Sequence, residues 1–145
     1  MINTPNLEQA KRLIKKENKP IIVKAQNLEF NRKILEYGKF DIIFSIEDTK
    51  GEDNPKKLNS GLNHIMAKIA AKNKIVIGMN ISEIQKLGKK EKAVKLARIR
   101  QNIKICRKAK TIIKVLNYKD RRNAFSFLLS LGASTEQAKE AIKQL

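Results

Sequence analysis

Four scarcities bound what this chain can be. It has one cysteine, Cys106, so no intramolecular disulfide can form, which fits a reducing, intracellular setting. It has one histidine, His64, too few for the converging histidines of a metal hydrolase. It has no tryptophan and only 5% aromatic residues, against 41% apolar and 32% charged residues overall, a balance that still fits a folded globular domain. Acidic residues number 14 against 32 lysines and arginines, a formal net charge of +18. So large a charge on 145 residues repels itself unless a polyanion offsets it, and nucleic acid is the first candidate partner. Lysine-rich composition alone would not explain why acids fail to balance it. Long apolar runs are missing too: the opening MINTPNLEQAKRLIKKENK has no signal-peptide core, and no segment reaches the length of a membrane span. The expectation is a cytoplasmic protein.

What is present reads as one α/β domain over residues 1–145, without internal repeats or a low-complexity linker. Asn6 caps a helix through Glu17, with Leu7, Ala10, Leu13 and Ile14 on one face. The strand Pro20–Ala25 follows, then a helix over LEFNRKILEY closed by Gly38, then the strand Asp41–Ser45. This βαβ unit implies a parallel sheet with a right-handed crossover. Ser60 is expected to cap a third helix through Asn73, ahead of the strand KIVIGM. A short turn after Ser82 leads to a long helix from about Lys89 to Lys110, whose stripe holds Leu96, Ile99, Ile103 and a buried, inert Cys106. Thr111–Leu116 is a fourth strand, followed by helices over Ala124–Leu131 and Thr135–Leu145 with Gly132 between them. Four strands alternating with helices predict a parallel-sheet β/α repeat, an incomplete or small TIM-barrel-like domain. Its ligands belong at the carboxyl ends of the strands, on the segments 45–59, 80–88 and 117–123.

Catalytic patterns are sparse. Glu47, Asp48, Glu52 and Asp53 could hold Mg²⁺ with a phosphate, but beside Lys50, Lys56 and Lys57 they read as a solvated turn. No phosphate-binding or dinucleotide glycine pattern and no nucleophile elbow is present. His64 near a helix start, among Leu62, Ile65, Met66 and Ile69, reads as a neutral packing residue rather than a base. No catalytic residue and no metal ligand is assigned. The basic surface says more. Arg98, Arg100, Lys104, Arg107 and Lys108 on the long helix can reach phosphates, and Lys119, Arg121 and Arg122 follow a strand, with Tyr118 placed to stack on a base. The planar fork of arginine suits phosphate better than solubility requires. Val94 and Ile105 fall opposite the core stripe and are expected to meet a protein partner.

The stretches SGLNHIMAKIAAKNKIVIGMNIS, KLARIRQNIKICRKAKTIIKV and RRNAFSFLLSLGASTEQAKEAI, with NRKILEYGKFDIIFS before them, resemble the archaeal and eukaryotic ribonuclease P protein component 3 family from about Pro20 onward. Gly61, Leu62, Asn63 and His64 are the most specific match. The resemblance implies a fold similar to a TIM barrel in a ribonucleoprotein that removes the 5′ leader of precursor tRNA. It implies that the RNA carries catalysis with Mg²⁺ while the protein binds no cofactor, and that a small protein subunit, component 2, is its partner. By position Arg32, Asn63 and His64 would belong to the family pattern, Arg98, Arg100, Arg107 and Lys108 to its basic helix, and Arg121 or Arg122 to its later arginine. Leu116, Asn117 and Tyr118 stand where the family has a small Ser-Gly-Ala type turn, and the opening strands of its barrel have no counterpart here. Two other readings remain beside the ribonuclease P subunit: a metal-dependent phosphodiester hydrolase using the 46–59 loop and His64, and a general nucleic-acid-binding protein.

Overall fold

The computed structural model describes residues 1–49 and 59–144. Helix α1 (Leu7–Lys16) is started by Asn6, whose side chain accepts from the Gln9 amide, and Glu17 ends it. Strand β1 (Ile22–Lys24) leads to α2 (Leu28–Tyr37), capped by Asn27 and closed by Gly38 in the left-handed conformation at φ 72°. Strand β2 (Ile42–Phe44) runs into a 3₁₀ turn, Ile46–Asp48. After the undescribed residues come α3 (His64–Lys72), β3 (Val76–Met79), a second 3₁₀ turn at Ile84–Lys86 and the long α4 (Lys89–Ala109). Strand β4 (Ile113–Val115), α5 (Arg121–Ser130) and α6 (Thr135–Ala141) complete the described chain.

The strands are parallel, in the order β1-β2-β3-β4, so each new strand is added on the same side of the last. With right-handed crossovers this order sends every connecting helix to one face of the sheet, as in a β/α barrel and unlike a doubly wound sheet. Register confirms the two faces. Val23, Ile43, Ile77 and Ile113 lie side by side and join the helices in the hydrophobic core. The next row, Lys24, Phe44, Gly78 and Lys114, points the opposite way, as does the row Ile22, Ile42, Val76. In a closed barrel this second face would line the interior. Gly78 is required there, because a Cβ would come within 2.8 Å of Ile42 Cγ2. Among the described residues the sheet stays open, with β1 and β4 unpaired to each other.

The expected elements are present, with β1, β2 and β4 trimmed by a residue or two at each end and β3 at its start only, while α5 begins earlier than expected, at Arg121, and α6 ends at Ala141. One pairing escaped the pattern reading: Ile2 forms a parallel bridge to Val23, extending the sheet beyond β1. The cap of the third helix also differs. Asn63, not Ser60, accepts from the Met66 amide, and the Ser60 hydroxyl donates to the Leu62 carbonyl instead. Gly61 explains the delay, since its φ of +80° holds the backbone out of the helix. Leu13 is 37% exposed, so the inner face of α1 narrows to Ala10 and Ile14 with Leu7 beside them. No helix among the described residues is long and apolar enough to cross a membrane.

Candidate nucleic-acid interface

The carboxyl ends of the strands are built around the exit from β2. Ser45 takes φ 63°, turning the chain sharply into the 3₁₀ turn, while its amide donates to the Gly78 carbonyl at 3.0 Å. That turn buries Ile46 and, with it, Glu47. Oε1 of Glu47 accepts from the Asn80 amide at 2.9 Å, joining the ends of β2 and β3, while Oε2 is buried with no hydrogen-bond partner. Burial, aided by the neighbouring Asp48 carboxylate and opposed by the Asn80 bond and by Lys95, pushes the Glu47 carboxyl up to about 7. The solvated-turn expectation therefore fails for Glu47, while Glu52 and Asp53 lie outside the described residues. Asp48 is exposed and pairs with Lys95 at 3.2 Å.

The Gly61, Leu62, Asn63, His64 group divides. Gly61 packs so closely on the Ile46 carbonyl that no Cβ fits, Leu62 is buried, and Asn63 caps α3. Asn31 adds a second pin, accepting from the Gln26 amide at 2.7 Å and donating to Thr49 Oγ1 at 3.0 Å. His64 opens α3 exposed to solvent, which corrects the packing role expected of it. The buried face of α3 is Met66, Ala67 and Ala70, and Ile65 is 55% exposed.

The basic residues fall on several surfaces. Lys119, Arg121 and Arg122 are exposed where β4 passes into α5, at the carboxyl end of the sheet. Arg98 is half-buried in the amino-terminal half of α4 and faces the Glu47 region. Arg100 and Lys104 are exposed along a groove of about 720 Å³ floored by Ala93, Leu96, Ala97 and Leu131. Arg107 and Lys108 stand at the far end of α4, where Arg107 donates to the Gly132 carbonyl at 3.0 Å. Arg32 lies on α2, paired with Glu36 at 3.3 Å, apart from the α4 residues. Tyr118 is half-buried and donates its hydroxyl to the Ile142 carbonyl at 2.8 Å, tying the residue that ends α6 to the end of β4. One expectation is corrected. Ile105 packs against the core, so it is not an exposed partner contact. Val94 is half-buried and lines a cavity beside Glu47.

Cys106 is buried, and burial pushes its thiol up to about 12, so it is core filler, as its stripe position predicted. No group of three or more His, Cys, Asp or Glu that could hold a metal is gathered among the described residues.

No family model matches the chain. Ribonuclease P protein component 3 of Methanococcus maripaludis strain C7 is 26% identical over 113 residues, which is 76% of this chain and 46% of that protein. The strain C6 protein is 25% identical over the same shares. The chain thus spans about half the length of the curated relatives it matches. In fold it is similar to a chain in a cryo-EM structure of archaeal ribonuclease P with mature tRNA, with a TM-score of 0.79 and 22% identity, covering 97% of this chain and 62% of that one. In sequence the chain is thus similar to ribonuclease P protein component 3 over about three quarters of its length, and in fold it is an open parallel β/α sheet similar to that structure.

Proposed function

We propose that this chain is an RNA-binding protein subunit of ribonuclease P, which counter-charges and orients the RNA that removes 5′ leaders from precursor tRNA. The observation that carries the reading is the similarity to component 3 proteins over 113 residues. The charge supports it independently, since +18 on a folded domain calls for a polyanion. Lys119, Arg121 and Arg122 at the carboxyl end of the sheet, with Arg98, Arg100, Lys104, Arg107 and Lys108 along α4, offer contacts on more than one side. Such a distribution suits a folded RNA that wraps the protein better than a single strand in one groove. In this reading catalysis and its Mg²⁺ belong to the RNA, a second small protein subunit, component 2, completes the assembly, and the complex works in the cytoplasm.

The test is a salt titration of binding to ribonuclease P RNA and to an unrelated structured RNA of equal length. The expected result is tighter binding to the first, with a log–log slope of about −5 or steeper as phosphate contacts release counterions. Equal affinity for both RNAs would reduce the chain to a general nucleic-acid-binding protein. A flat salt response would remove the counter-charging mechanism.

A further inference from the structure

The outward face of α4 is charged in a different way from the helices around it. Lys89, Ala93, Ala97, Arg100, Lys104 and Lys108 follow one another at helical spacings of three or four residues, so they form one stripe along α4. All of them are exposed, and the stripe holds cations and alanines but no acid. Glu91, the acid of α4, is turned away toward the Glu47 cavity. Elsewhere cations have acids one helical turn away: Arg32 pairs with Glu36, Lys33 with Glu29 and Lys143 with Glu140. No cation of the stripe is ion-paired among the described residues. Arg100, Lys104 and Lys108 also stand four residues apart in sequence, a spacing at which like charges weaken a helix. Solubility does not require that arrangement, and a bound polyanion relieves it.

The alanines decide which form of polyanion fits. Between Lys89 and Arg100, roughly 16 Å apart along the axis, the stripe carries only the methyl groups of Ala93 and Ala97. Beside them runs the groove of about 720 Å³, with Arg100 and Lys104 on its rim. A rounded surface can therefore approach the helix closely there while cations reach out on both sides of the gap. Single-stranded RNA is held by stacking on aromatic rings, and α4 has none. A protein partner needs large side chains to bury at the centre of its interface, and the exposed apolar side chains of this stripe are alanines. Double-stranded RNA is recognised by shape, through the ribose hydroxyls of its wide, shallow minor groove and the phosphates beside it. We propose that the outward face of α4 seats a double-helical segment of RNA. Ala93 and Ala97 lie against the ribose edges of its minor groove, with Lys89 on the phosphates of one strand and Arg100, Lys104 and Lys108 on those of the other. The inference rests on the RNA-binding reading, and it names the form of RNA and the face that takes it. Contact with ribose 2′-hydroxyls makes such a site favour an RNA duplex over a DNA duplex.

The experiment measures binding of the full chain to an RNA duplex of about 16 base pairs, the span that double-stranded RNA-binding domains cover. The comparisons are the DNA duplex of the same sequence, one RNA strand alone, polyglutamate, and an amphipathic helical peptide of leucine and glutamate. The RNA duplex should bind about fivefold more tightly than any of the others. Ala93→Leu with Ala97→Leu fills the gap at exposed positions without changing charge. This pair should weaken the RNA duplex about tenfold and remove its advantage over DNA, while the salt slope and the melting temperature stay as in the wild type. Arg100→Ala with Lys104→Ala tests the same face independently, and should reduce the salt slope for the RNA duplex by about 2. Equal affinity for the RNA duplex, the DNA duplex and polyglutamate would overturn the proposal and leave charge neutralisation alone. An RNA-duplex preference that survives the leucine pair, or a salt slope unchanged by the alanine pair, would overturn it as well. Tighter binding of the helical peptide would assign the face to a protein partner, against the proposal. A chain that selects ribonuclease P RNA whether or not the leucine pair is present loses this face and keeps its proposed function. A chain whose α4 prefers the RNA duplex without selecting that RNA has the reverse fate.

Discussion

The two ends of the sheet solve the same problem differently. At the amino end, polar side chains tie one β/α unit to the next with their donors and acceptors matched: Asp41 accepts from the Ile21 amide at 2.7 Å, Asn73 donates to the Leu35 carbonyl at 2.8 Å, and Thr111 donates to the Ala67 carbonyl at 2.7 Å. At the carboxyl end a comparable frame, made by Gly61 on Ile46 and by Asn31 with Thr49, surrounds Glu47, an acid left half-satisfied beside a cavity. A buried polar group with every bond made stabilises, and one with a bond missing costs about 1–3 kcal/mol. The amino end is therefore organised for stability, and the carboxyl end, where β/α folds place their functional loops, carries a cost.

The largest effect expected is from Gly61→Ala, which forces a side chain into a left-handed position and against the Ile46 carbonyl. It should cost about 3 kcal/mol and lower the melting temperature by roughly 10 °C. A variant that melts with the wild type would show that the carboxyl-end frame is looser than described.

Glu47 should give the contrast its clearest sign. Its folded carboxyl titrates near 7 against an ordinary 4.5, so between those values the native state holds a proton that the unfolded state has lost. Stability from this group is fully present below the ordinary value and falls as pH rises to about 7, by up to roughly 3 kcal/mol. Glu47→Gln removes the titration. Chemical denaturation should find the variant similar to wild type at pH 4.5 and more stable at pH 8, and a difference that does not change with pH would refute the buried, unsatisfied acid. By comparison Thr111→Val, at the matched end, should cost about 1 kcal/mol at every pH.

Smaller effects separate contacts with RNA from contacts within the fold. Arg121→Ala with Arg122→Ala should leave melting unchanged and reduce the salt slope of RNA binding by roughly 1–2. Arg32→Ala, an exposed partner of Glu36, should change melting little, and it tests whether the surface of α2 meets RNA at all.

Much of the fold was legible because its signals are local. The asparagine caps, Gly38 and the short apolar runs are read within a few residues, and they marked the helices and strands correctly. The errors sit where local signals compete or where distant contacts decide. Ser60 and Asn63 are both good caps, and the choice between them turned on the left-handed Gly61 and its approach to Ile46. His64 has apolar sequence neighbours but faces solvent, because the buried stripe of α3 begins at Met66. Glu47 was the acid that mattered and the hardest to recognise, since its burial depends on a bond to Asn80, 33 residues away. The basic residues were legible as a class but not as a surface, because α4 carries them from the carboxyl end of the sheet to the opposite end.

The most direct test of the central claim is to recover the tagged protein from its native cells at moderate salt, sequence the RNA that comes with it, and assay the complex on precursor tRNA. The ribonuclease P reading predicts one structured RNA in large excess, a small protein partner, and 5′-leader removal by the recovered complex. A diffuse RNA population without a partner and without cleavage would contradict it.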